Sequence, residues 1–154
     1  MKKQASKDII NLKNASHHTN KSKATNNSSN SNNESVKIHL KRIFEYYCQF
    51  GERMNFNYLK SHKFQKFAVD ADLIDGRLTK TKLELIFTSE NKTKIKSQMN
   101  FETFLNSLIK LAEVKFIEKN DILNKYAKNN ISPLQSLLKM HVWPLYERLF
   151  ETGV

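Results

Sequence analysis

Leu73-Ile74-Asp75-Gly76-Arg77-Leu78-Thr79-Lys80-Thr81-Lys82-Leu83-Glu84-Leu85-Ile86-Phe87 decides how this chain folds. Asp-Gly in its middle marks a tight turn, because Asp bonds its own backbone and Gly adapts to unusual dihedrals. Thr79 then stands where a helix cap belongs, and Leu83, Ile86 and Phe87 recur at helical spacing. A helix therefore starts just after the turn. Upstream, Tyr58, Leu59, Phe64, Phe67 and Ala68 predict another helix, and Val36, Leu40, Ile43, Phe44, Tyr47 and Cys48 predict a first one that Gly51 ends. Downstream, Lys92-Thr93-Lys94-Ile95-Lys96 is a cationic loop leading to Met99, and Asn100 caps a helix carrying Phe101, Phe104, Leu105, Leu108, Ile109 and Ala112. No segment alternates like a strand for more than two or three residues.

The ends read differently. Residues 13–35 are Asn, Ser, Lys, Thr and His, too poor in apolar groups to offset their ordering entropy, so residues 1–35 are expected to be a disordered basic tail. In the last third, Ile122, Leu123 and Tyr126 suggest a short helix. Ser132-Pro133-Leu134-Gln135 starts another with a capping box. Between Leu134 and Phe150 ten of seventeen positions are large and apolar, so that helix must be covered by its own domain or by another protein. Pro144 inside it frees the carbonyl of Met140 and predicts a kink or break beside Trp143. The expected fold is all-α: a degenerate EF-hand-like core over residues 36–116 and a C-terminal helical extension over 117–154.

Composition narrows the functions. Lys plus Arg number 26 against 15 Asp plus Glu, a formal charge of +11 with an isoelectric point near 9.7, so a polyanionic partner is favoured. Cys48 is the only cysteine, which excludes an internal disulfide and a cysteine zinc cluster and suggests a reducing compartment. No apolar run approaches membrane-span length, and Ile9, Ile10 and Leu12 are too few for a signal-peptide core. The glycines Gly51, Gly76 and Gly153 build no phosphate loop. His17, His18, His39, His62 and His141 form no metal motif, so neither cofactor nor catalysis is expected.

Helix, loop and helix in succession invite a calcium test. Such loops need oxygen ligands at positions 1, 3, 5 and 9, Gly at 6 and a bidentate Glu at 12. With Gly76 at position 6, positions 1, 3, 5, 9 and 12 hold Ala71, Leu73, Asp75, Thr79 and Lys82. With Met99 at position 8 of a second loop, Lys92, Lys94 and Lys96 fall at 1, 3 and 5 and Thr103 at 12. Neither loop is expected to hold calcium, which counts against a calcium-dependent adaptor.

Ile74-Asp75-Gly76, Leu78-Thr79-x-Thr81, Phe87, a lysine-rich spacer and Phe101-x-x-Phe104 together resemble the core of the tubulin polymerization promoting protein family, over about residues 36–116. The resemblance implies an EF-hand-like helical core, tubulin and microtubules as partners, and a place in the cytoplasmic cytoskeleton, with relatives in ciliated and flagellated cells and hence the axoneme. Residues 132–150 depart from the glycine-rich, basic end of the better-known members. From the residues themselves, Lys37, Lys41, Arg42, Lys80, Lys82, Lys92, Lys94 and Lys96 are candidates for contact with acidic tubulin. Trp143, Tyr146 and Phe150 are candidate anchors toward tubulin or other microtubule-associated proteins. The rival class is a nucleic-acid-binding protein. Only four arginines, Arg42, Arg53, Arg77 and Arg148, and no reader motif make it the weaker reading.

Overall fold

The computed structural model describes residues 27–91, 97–123 and 132–151, with side chains from 31–91, 97–116 and 132–151. It is an all-α fold. Residues 1–26 of the expected tail lie outside the described residues. Helix α1, Asn27–Gln49, starts inside the stretch read as tail. Once residues 36–49 are nucleated by burial, each further residue upstream adds a hydrogen bond at little cost, so polar residues are carried along. Leu40, Ile43, Phe44, Tyr47 and Cys48 form the buried stripe, and Gly51 ends the helix at φ 76°, a left-handed conformation that suits glycine.

Helix α2, Ser61–Asp70, buries Phe64, Phe67 and Ala68. It closes with the amide of Leu73 on the carbonyl of Ala68 (2.9 Å) and that of Asp72 on Val69 (3.0 Å), with Asp72 at φ 55°. This is a Schellman-type end with aspartate in the place more often held by glycine. Helix α3, Lys80–Glu90, is capped by Thr79, whose side chain accepts from the amide of Lys82. Helix α4, Phe101–Leu123, starts where Asn100 Oδ1 accepts from the amide of Thr103 at 2.8 Å. It runs straight through Ile122 and Leu123, so the separate short helix expected there does not form. No Gly or Pro between Phe116 and Leu123 interrupts it, and Tyr126 lies outside the described residues.

Two short strands, β1 (Leu59–Lys60) and β2 (Gln98–Met99), pair antiparallel with Leu59 opposite Met99. The pairing corrects the expected loop register. The loop joined to Met99 is the one before α2, and the Asp75-Gly76 turn instead connects α2 to α3. Leu78 is held within its own turn, where its amide donates to Asp75 Oδ1 (2.8 Å) and its carbonyl accepts from the Asp75 amide (3.1 Å).

The C-terminal segment begins with α5, Pro133–Leu137, under the full Ser132–Gln135 capping box. It continues as a π turn over Leu138–Val142, α6 over Trp143–Tyr146, and a second π turn over Glu147–Glu151. Pro144 therefore does not break the helix. The helix widens ahead of it, and the amide of Trp143 reaches back to the carbonyl of Leu138. Leu134, Leu137, Leu138, Val142 and Leu145 are buried in the same core as the earlier helices, and α5 lies chiefly against α4. At the centre a series of aromatic contacts ties the helices together: Phe44 to Phe104 (5.5 Å), Phe104 to Phe67 (5.4 Å), Phe67 to Tyr47 (5.6 Å), and Phe64 to Phe87 (5.8 Å).

Candidate functional site

The residues that carry the sequence fingerprint serve the fold. Leu78, Phe87 and Phe104 are buried, Ile74 and Phe101 pack half-buried on the core, and Thr79 is a helix cap. Thr81 and Gly76 are exposed. Asp75 does most to hold the turn. Its Oδ1 accepts from the amides of Arg77 and Leu78, both at 2.8 Å, and its Oδ2 lies 2.7 Å from the Lys115 ammonium. The Leu78 amide, the Lys115 ammonium and the Arg77 amide together hold its carboxyl down at about 2. Gly76 has no positive φ, and a methyl group there would meet nothing within 4 Å. The turn depends on the aspartate, not on the glycine.

The candidate cations are spread over several elements. Lys37 is half-buried and Lys41 exposed on α1; Lys80 and Lys82 are exposed in the first turn of α3, where the Lys82 ammonium donates to the Arg77 carbonyl at 2.8 Å. Lys92, Lys94 and Lys96 lie outside the described residues.

Arg42, Tyr146 and Phe150 are brought together, but with one another. Arg42 Nη1 donates to Tyr146 Oη at 2.5 Å, and the guanidinium lies 4.4 Å from the Phe150 ring centre. The His39 ring meets Tyr146 edge-on at 4.6 Å and Trp143 at 6.1 Å. Tyr146 is 6% exposed, so its ring faces α1 rather than solvent. The cause is the length of the apolar surface on the last helix: covering it with the chain's own α1 and α4 removes it from water. Trp143 and Phe150 stay half-buried against the core.

The segment before α2 carries exposed apolar residues, and Tyr58 and Leu59, expected in the helix, precede it as loop and strand. Phe50, Met54, Phe56 and Tyr58 are all exposed, Met54 by 87%, while Leu59 after them is fully buried. Tyr46 beside them is also exposed, and a 520 Å³ groove opens between Arg42, Glu45, Tyr46, Gln49, Phe50 and Phe150. The Lys66 ammonium lies 4.9 Å from the Phe50 ring centre. Exposed aromatics and Met on a polar chain mark contact surfaces.

Cys48 offers no nucleophile: it is fully buried, and burial pushes its thiol up to about 12. Among the described residues no group of three or more His, Cys, Asp or Glu gathers as metal ligands, and no helix is long and apolar enough to cross a membrane.

These features define a small all-helical protein whose polar clusters support the fold and whose open surface is aromatic and cationic. The p25-alpha family model matches residues 41–137, from the middle of α1 to the end of α5. The chain belongs to the p25-alpha family, which is the tubulin polymerization promoting protein family. No curated protein and no solved structure matches it.

Proposed function

We propose that this chain is a non-catalytic structural protein that binds the tubulin lattice, including the doublet microtubules of the ciliary axoneme. The family match over residues 41–137 carries the reading. The surface supports it in two ways. An overall charge of +11 attracts acidic tubulin over long range. Phe50, Met54, Phe56 and Tyr58, with Lys66 over the Phe50 ring, offer apolar contact area beside a cation. Lys37, Lys41, Lys80, Lys82, Lys92, Lys94 and Lys96 add positive charge. Trp143 and Phe150 contribute at their exposed edges, where a neighbouring microtubule-associated protein has room to join.

Co-sedimentation of the full chain with polymerised microtubules across a salt series tests this, in parallel with Phe56→Ser/Tyr58→Ser and Lys37→Glu/Lys41→Glu variants. Pelleting that survives moderate salt and is lost in the aromatic variant supports docking through the loop. Pelleting only at low salt, matched by RNA or any other polyanion, replaces the tubulin reading with general basicity.

A further inference from the structure

The loops that meet at the β1–β2 bridge have matching offsets. Leu59 pairs with Met99, both fully buried, and in each unit the next helix starts two residues later, at Ser61 and at Phe101. In paired twelve-residue calcium loops the buried apolar residue at position 8 makes this bridge, and the cation is held from positions 1, 3, 5, 7, 9 and 12. Counting from Leu59 puts Glu52 at position 1, Met54 at 3, Phe56 at 5, Tyr58 at 7, Lys60 at 9 and Lys63 at 12. The residue whose side chain should reach in as the bidentate carboxylate is a lysine.

That lysine reaches in. Lys63 is 1% exposed, and its ammonium donates to the Cys48 carbonyl at 2.6 Å and lies 3.3 Å from Glu52 Oε2, the position-1 carboxylate. Glu52 is also bonded by Asn55 Nδ2 at 2.9 Å and by the Lys60 ammonium. A buried ammonium needs acceptors for its donors and a counter-charge, and here the Cys48 carbonyl supplies an acceptor and Glu52 the counter-charge. The sequence signal was present in the i, i+4 spacing of Lys63 with Leu59 and Phe67, which sets a lysine on the apolar stripe of α2.

We propose that the ammonium of Lys63 occupies the cation position of a calcium-type loop over residues 52–63. The chain then supplies from its own side chain the positive charge that a divalent ion would bring, and the α1–α2 pair is held in place without metal. Position 12 here holds a cation where a calcium loop holds a ligand, with Glu52 as its counter-ion. This inference does not depend on the microtubule reading.

The test places oxygen ligands on the exposed loop of the full chain through Met54→Asp, Phe56→Asp and Lys60→Ser, and compares that variant with the same one carrying Lys63→Glu. Terbium is the probe, read by luminescence sensitised from Tyr58 at position 7. With Lys63 present the ion should bind at least ~100-fold more weakly than with Lys63→Glu, because that substitution removes a positive charge from the site and puts a carboxylate at position 12. Equal binding by the two variants, or no binding by either while both keep their helical circular dichroism, overturns the proposal. If the variants lose their helix signal, the unsubstituted chain decides through the ¹H–¹⁵N resonance of the Lys63 ammonium at neutral pH. A slowly exchanging signal that shifts on Glu52→Gln sustains the proposal, and its absence overturns it. A calcium-induced rise in the melting temperature of the unsubstituted chain also overturns it.

Discussion

Lys115 on α4 closes the α2–α3 turn from the far side of the fold, its ammonium 2.7 Å from Asp75 Oδ2 and 3.0 Å from the Leu73 carbonyl. The lysine is buried and the carboxylate partly exposed, so removing the ammonium leaves the Leu73 carbonyl without this donor. Lys115→Met is expected to destabilise the chain by about 1.5–3 kcal/mol, the range for charge-assisted bonds. Gly76→Ala, in open space, is expected to stay within about 0.5 kcal/mol. Chemical denaturation of the two variants checks the contrast. Equal losses would mean that the turn depends on glycine after all.

His141 gives a pH dependence. Burial is the main reason its pKa lies below the ordinary 6.5; the Lys115 charge adds to this, while the Ala71 carbonyl, 2.9 Å from Nδ1, and the carboxylates of Asp72 and Asp75 oppose it. The unfolded chain therefore takes up a proton first as pH falls. The contribution of neutral His141 is complete above 6.5 and is lost as pH drops from 6.5 toward the lower folded value. Urea titrations between pH 8 and 5 should show a decline that His141→Gln flattens.

The last helix belongs to the core, which changes what its removal would mean. Leu137→Ala is expected to cost about 2–5 kcal/mol. A chain ending at residue 131 should lose cooperative thermal unfolding and bind a hydrophobic dye. Loss of microtubule pelleting by that truncation would report unfolding, not a missing anchor.

Arg42 joins α1 to the end of the C-terminal helix through Tyr146 and Phe150. Arg42→Ala is expected to cost about 0.5–1 kcal/mol, and Arg42→Lys should restore little of it, because an ammonium does not reproduce the planar contact with the ring. Thermal melts of the three chains decide.

Cys48 is expected to be inert in the native state. A thiol buried and pushed up to about 12 has almost no thiolate at neutral pH, so a disulfide reagent should react only after denaturant is added. Rapid labelling without denaturant would show that the α1–α2 packing opens readily.

Local chemistry made much of the fold legible in the chain. Thr79 and the Ser132–Gln135 box cap helices as expected because a cap needs only neighbours in sequence, and the apolar stripes of α1, α3 and α4 follow from spacing alone. The family fingerprint was legible for the same reason, and its buried members explain why: Leu78, Phe87 and Phe104 specify a core.

Pairings between distant residues were not legible. Met99 meets Leu59, while Leu78 uses both its amide and its carbonyl on Asp75 within its own turn. Lys63 is buried because the Glu52 carboxylate and the Cys48 carbonyl give its ammonium partners. Tyr146 turned inward because α1 was there to cover it, while Phe50, Met54, Phe56 and Tyr58 are exposed among the described residues. Sequence by itself determined the helices, their caps and the apolar sides to be buried, all set by contacts a few residues apart. Tertiary structure alone decided which loops pair and which charges and aromatic rings remain open to a partner, since those outcomes depend on groups far apart in the chain competing for the same neighbours.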